Sequence, residues 1–131
     1  EQLEPQANLF PVTEETVGKW RSIYNAAMRG VDNAGTLESR EEGKIVDSGS
    51  AYFVHRDGEV LGIFWLEDNK LLAVAAVKKG AGETGMHTMM SLLNGETMEL
   101  EVASTNHRAI RLYEKLGFVK TGEVSRWYRV F

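Results

Sequence analysis

The stretch LEVASTNHRAIRLYEKLGF, Leu100 to Phe118, decides the architecture. Its first residues alternate, with Leu100 and Val102 on one side and Glu101 on the other, the period of a half-buried strand. The pattern then turns helical, and Gly117 stands where a helix stops. Asn106, between the two, is the residue type whose side-chain oxygen caps a helix start. Tyr113 follows about two helical turns later and shares a face with Asn106. A strand that feeds a helix in this way belongs to an α/β sheet.

Just before this stretch, TMELEVA extends the strand, and KKGAGETG supplies a glycine-rich loop ahead of the helix MHTMMSLL. Met86, Met89, Met90 and Leu93 fall on one helical face, a packing stripe that Asn94-Gly95 ends. LLAVAAV, Leu71 to Val77, is almost wholly apolar and is expected to be a central strand covered on both faces. It closes a meander of three strands, about Ala51 to Arg56, Glu59 to Leu66 and Lys70 to Val77. Asp57-Gly58 and Glu67-Asp68-Asn69 make its turns. Beyond Phe118, FVKTGEVSRWYRVF reads as two strands with a turn at Thr121-Gly122.

The first fifty residues carry less signal. NLFPV suits a short edge strand, with Pro11 tolerated there. Thr13 is expected to cap the helix TEETVGKWRSIYNAAM, with Val17, Trp20, Tyr24, Ala27 and Met28 inward and Gly30 as its stop. LESREEGKIV reads as a second, more polar helix. Residues 1–131 thus read as a single domain: a mixed central sheet of six to seven strands with flanking helices.

Composition sets outer limits. A chain of 131 residues that is 43% hydrophobic and 26% charged has enough material for a buried core. A net charge of −4 and a pI near 5.4 argue against a broad nucleic-acid surface. The absence of cysteine excludes disulfides, thiolate metal sites and a cysteine nucleophile, and fits a reducing compartment. The longest apolar run, Leu71 to Val77, is far too short to span a bilayer. The opening EQLEPQ lacks the basic-then-apolar form of a signal peptide, so the expected location is cytoplasmic. His55, His87 and His107 are scattered without metal-ligand spacing, and no metal is expected.

The pattern N-x-x-A-I-x-L-Y-x-x-x-G-F, made by Asn106, Ala109, Ile110, Leu112, Tyr113, Gly117 and Phe118, resembles the GNAT (Gcn5-related) N-acetyltransferase superfamily. YEKLGF is especially typical, and the run LEV…N…Y is similar to ribosomal-protein N-terminal alanine acetyltransferases. The order of elements extends the resemblance over most of Ser50 to Phe131. In that family the loop after the fourth strand follows V-x-P-x-x-R-G-x-G-x-G. Here Val77 takes the valine, Lys79 the proline and Gly85 the central glycine. Gly82 stands where Arg or Gln is usual, Glu83 at a usual glycine and His87 at the last glycine. Glu83 therefore brings a carboxylate to where a pyrophosphate approaches, and Lys78 and Lys79 are the nearby cations to offset it.

The resemblance implies that acetyl-coenzyme A lies between the diverging strands that end at Val77 and Ala103. Its pantetheine would bond the backbone of Ala75, Ala76 and Val77, and its pyrophosphate would sit on Gly82, Glu83, Thr84, Gly85, Met86 and His87. Asn106 would reach the pantetheine arm. The Tyr113 phenol would reach the sulfur and protonate the departing thiolate, as a general acid. Glu101 is the candidate base, because a glutamate in this position serves the alanine acetyltransferases so, and no carboxylate lies between Leu71 and Val77.

Each residue also has a plainer reading: Glu101 as a solvent-facing strand residue, Tyr113 as a packing ring, Asn106 as a cap alone, and Trp20, Trp65 and Trp127 as core or rim. The implied activity is acetyl transfer to a primary amine by direct attack in a ternary complex, since no cysteine offers a covalent route. The resemblance implies a small-molecule or peptide amine as acceptor, in a groove bordered by Trp20 to Glu38 and Val124 to Tyr128, where Asp32, Glu38 and Glu123 would attract a cation. No nucleic-acid or membrane partner is expected, and an exposed last strand allows a homodimer. A weak or inactive coenzyme-sensing domain of the same fold is the competing reading.

Overall fold

The computed structural model describes residues 7–29, 36–78, 80–93, 96–102, 105–121 and 126–130. The expected stops at Gly30 and Asn94-Gly95, the turn residue Gly122, the strand end at Ala103, and Lys79, Asp32 and Glu123 lie outside these residues. Chain order is β1 (Asn8–Pro11), α1 (Val17–Met28), a 3-10 turn (Ser39–Glu41) running into α2 (Glu42–Ser48), then β2 (Ala51–Arg56), β3 (Glu59–Glu67) and β4 (Lys70–Ala76). It continues with α3 (Ala81–Met90), β5 (Thr97–Glu101), α4 (His107–Lys115), β6 (Val119–Lys120) and β7 (Arg126–Val130). Among the described residues the strands join in the order β1-β2-β3-β4-β5-β7-β6. All neighbours are antiparallel except β4 and β5, so the sheet is mixed and flanked by helices.

The meander follows its turn chemistry. Asp57 and Gly58, and then Asp68 and Asn69, all take positive φ, as the two-residue turns that match strand twist require. Two apolar layers lie on the two faces of the sheet. Val17 and Trp20 of α1 and Ile45 of α2 pack with Phe53, Ile63, Trp65, Ala73 and Ala75. On the other face Met86, Met89 and Met90 of α3 and Tyr113 of α4 pack with Phe64, Leu71, Met98, Leu100 and Trp127. The methionine stripe and all three tryptophans are thus core.

Three local expectations are corrected. Helix α1 begins at Val17, not directly after Thr13: the Thr13 and Thr16 hydroxyls lie 3.2 Å apart and bond one another, and no side chain caps the helix. Within α1, Ala27 is exposed, and Ile23 joins Tyr24 at the edge of the core instead. Strand β4 is central in the sheet but not covered on both faces, since Leu72 and Ala76 are exposed. Trp65 pairs with Ala73 and Leu66 with Leu71, which leaves Leu72 as an extra residue in a β-bulge. Among the described residues no helix is long and apolar enough to cross a membrane.

Candidate functional site

The site begins where two parallel strands part. β4 and β5 share the rungs Lys70–Glu99 and Leu71–Leu100, and among the described residues no rung follows. Leu72 to Ala76 therefore run on beside a gap that opens at the bulge. On the other side β4 stays paired to β3, and the Val77 N–H donates to the Leu61 carbonyl at 2.8 Å. Backbone direction alternates along an antiparallel pair, so Ala75 also turns its polar groups to β3, while Val74 and Ala76 turn theirs to the gap. Gly62 confirms the direction: a Cβ there would meet the Ala75 carbonyl oxygen at 2.4 Å. Of the three backbone positions expected to meet a ligand, the structure aims Ala76 at the gap and commits Ala75 and, just past β4, Val77 to β3.

The glycine-rich segment is a helix rather than a loop. α3 starts at Ala81, with Gly80 in the left-handed conformation at φ 84°. Gly82 to His87 are all inside it, so the N–H groups of Gly85, Met86 and His87 are spent on intrahelical bonds. The Ala81 N–H donates to the Lys78 carbonyl at 3.1 Å. The first-turn N–H groups of Gly82 and Glu83 have no intrahelical acceptor, and no side chain caps this end. This is the part of the segment suited to an anion. Met86 is a core residue at 1% exposure. Val54, Gly62, Phe64, Val74 and Ala76 line a space of about 20 Å³ under the first turn of α3, enough for roughly one water.

The charges around this turn are arranged differently from expectation. Glu83 meets Lys115 Nζ of α4 at 3.0 Å and His87 Nε2 at 3.8 Å. The hydrogen bond from Lys115 holds the Glu83 carboxyl below its usual range, with the charges of Lys115 and His87 adding to it. Lys78 is not the partner, because it pairs with Glu59.

Helix α4 forms the opposite wall. The Asn106 side-chain oxygen accepts the Ala109 N–H at 3.3 Å, so the expected cap is present. Its amide hydrogens have no partner among the described residues. Tyr113 is 7% exposed in the same apolar layer as Leu71, Leu100 and Val102. Burial pushes its phenol up to about 12, so the group is neutral and able to donate at ordinary pH. Its ring lies 5.6 Å from that of Phe118.

Glu101 lies one residue beyond the last β4–β5 rung, at the crotch of the gap. It is on the sheet face opposite Leu100 and Val102, is 53% exposed, and meets Lys70 Nζ at 3.3 Å. The structure therefore places Tyr113 and Glu101 on opposite sheet faces at the divergence. Among the described residues no three His, Asp or Glu side chains could hold a metal ion.

The sequence reading missed Lys115 and Lys70, because ion-pair partners from other elements leave no periodic trace. It also missed the Leu72 bulge. Gly62, an isolated glycine within a strand, was the available sign of close backbone approach at that place.

The sequence model of the acetyltransferase (GNAT) family matches residues 17–118. No curated protein matches the sequence significantly. Among solved structures, the spermidine N-acetyltransferase of Vibrio cholerae, in complex with CoA and spermine, superposes with a TM-score of 0.69 at 19% identity, covering 97% of this chain and 96% of that one. An aminoglycoside acetyltransferase in complex with coenzyme A and kanamycin gives 0.71 at 19% identity, covering 95% and 94%. The ribosomal-protein-alanine N-acetyltransferase of Brucella melitensis gives 0.68 at 13% identity, covering 95% and 99%. The likeness is one of fold, and the alanine acetyltransferase stands no nearer than the others.

Proposed function

The chain belongs to the acetyltransferase (GNAT) family, and on that premise we propose that it transfers the acetyl group of acetyl-coenzyme A to a primary amine by direct attack in a ternary complex. The observation that carries this reading is the β4–β5 divergence walled by Tyr113. An extended thioester arm fits a gap of this kind, with the Val74 and Ala76 backbone groups as its strand-like partners. The first-turn amides of Gly82 and Glu83 would take phosphate oxygens. Asn106 still has amide hydrogens to offer the arm while its oxygen caps α4.

Tyr113 acts on the sulfur. A phenol near 12 is a far weaker acid than a thiol of ordinary pKa, about 8.5, so full proton transfer to the thiolate is uphill. The hydroxyl instead donates a hydrogen bond that strengthens as negative charge builds on sulfur. Glu101 receives the proton lost by the amine, across the crotch of the gap and on the solvent-facing side. A small-molecule or peptide amine is the acceptor in this reading.

One observation favours a second reading, a coenzyme-sensing domain without turnover: Glu83 sets a carboxylate at the turn that would receive phosphate. Calorimetry with acetyl-coenzyme A, followed by thiol release across a panel of polyamines, aminoglycosides and N-terminal peptides, separates the two. Binding with turnover of at least one amine is the expected result. Binding without turnover on any of them moves the assignment to the sensor, and no binding at millimolar ligand defeats both.

A further inference from the structure

The helices that border the cleft touch one another. α3 leaves β4 and α4 follows β5, and both pack on the same face of the sheet, above the strands that part. The first turn of α3 meets the last turn of α4. Glu83 Oε2 and Lys115 Nζ are 3.0 Å apart, and a Cβ added at Gly82 would already lie 3.6 Å from Leu112 Cδ2. A chain passing between these turns needs two van der Waals contacts of about 3.5–4 Å where there is now room for less than that.

We infer that the Glu83–Lys115 ion pair is a latch that holds the two walls of the coenzyme cleft together in the free protein and opens when the coenzyme enters. This rests on the coenzyme-binding reading above. The pair suits a latch because it is weak: Lys115 is 65% exposed and Glu83 is partly so, and exposed pairs of this kind are only marginally stabilising. Gly82 adds no side chain that would interlock the helices. Both groups end on flexible stems, so the pair breaks without disturbing either helix backbone. The latch also accounts for an acidic residue beside an anion-binding turn, since Glu83 is neutralised from the far wall while the cleft is shut.

The test measures acetyl-coenzyme A association by stopped flow and calorimetry for the wild type, Glu83→Gln, Lys115→Met and the double variant. The latch predicts that each single change speeds association by about two- to fivefold, the worth of one exposed pair. The double change gains no more than either single one. A Lys115→Met protein that binds more slowly or more weakly makes Lys115 a phosphate ligand and overturns the latch. A gain in Glu83→Gln alone reduces Glu83 to simple repulsion and also overturns it.

A second arm uses the lack of native cysteine. In the variant Glu83→Cys/Lys115→Cys a short bis-thiol crosslinker should abolish the acetyl-coenzyme A binding measured on the same variant before linking. Undiminished binding by the linked form contradicts the proposal. If the wild type binds and no variant differs, the latch fails alone; if neither the wild type nor any variant binds, the coenzyme reading fails with it.

Discussion

Two strand-to-helix crossings sit side by side on one face of the sheet, and they are built differently. From β5 into α4, the local devices among the described residues agree. Asn106 caps, the buried ring of Tyr113 faces the core, and Gly117 turns left-handed at φ 94°. The Phe118 N–H then donates to the Tyr113 carbonyl at 2.9 Å, and its ring packs back on Tyr113. From β4 into α3, a left-handed Gly80 starts a helix with no side-chain cap, and an exposed ion pair joins its first turn to the neighbouring helix. The difference teaches which wall of the cleft is fixed and which can give. α4 carries its own start and stop, whereas the start of α3 has no side-chain cap.

The largest expected effect lies on the fixed wall. Tyr113→Phe keeps the ring and removes the hydroxyl, so kcat on the true acceptor should fall by roughly 10²–10³, the worth of one hydrogen-bond donor to developing charge, while coenzyme affinity barely moves. Full turnover would return Tyr113 to a packing role.

Next comes alkaline pH. The Tyr113 pKa is raised from 10.0 to about 12 by burial, so the folded state holds its proton more tightly than the unfolded chain. That contribution is intact below pH 10 and is lost as pH rises toward 12, costing of order 2–3 kcal/mol at the top of the window. Tyr24 shifts the same way, through burial and then the Glu41 charge, and adds to the slope. Denaturant titrations from pH 9 to 12 should show the fall, and Tyr113→Phe should flatten it. An unchanged slope in that variant would place the phenol in water.

The smallest pair of effects compares the two glycines directly. Gly117→Ala forces a left-handed alanine and brings its Cβ to 2.8 Å from Arg129 Nε, so stability should drop by about 1–2 kcal/mol. Gly80→Ala meets nothing within 4 Å and should cost about 1 kcal/mol from the backbone alone. A larger loss at Gly80, read from urea midpoints, would reverse the ranking of the two crossings.

What the sequence makes legible follows the same division. The α4 cap, its glycine stop and the methionine stripe were readable because each depends on neighbours in the chain or on helical period. The meander was readable from its positive-φ turns. The start of α3 was not: a run of glycines reads as a loop, and the packing of Gly82 against Leu112 comes from another element. The Leu72 bulge and the loss of rungs after Leu71 and Leu100 depend on strand register, which no local pattern states. Glu101 was located on its strand by alternation, but Lys70 beside it was invisible because the pair joins two strands. The early start expected for α1 failed because the Thr13 hydroxyl meets that of Thr16 instead of capping the helix.

Amide hydrogen exchange at single-residue resolution, with and without acetyl-coenzyme A, tests the cleft most directly. The account predicts new protection at the Val74 and Ala76 amides, which face the gap, and at those of Gly82 and Glu83 in the first turn of α3. Ala75 and Val77, already bonded to β3, should change little. Coenzyme-induced protection confined to other parts of the sheet, or none at Val74 and Ala76 under saturating ligand, would contradict it.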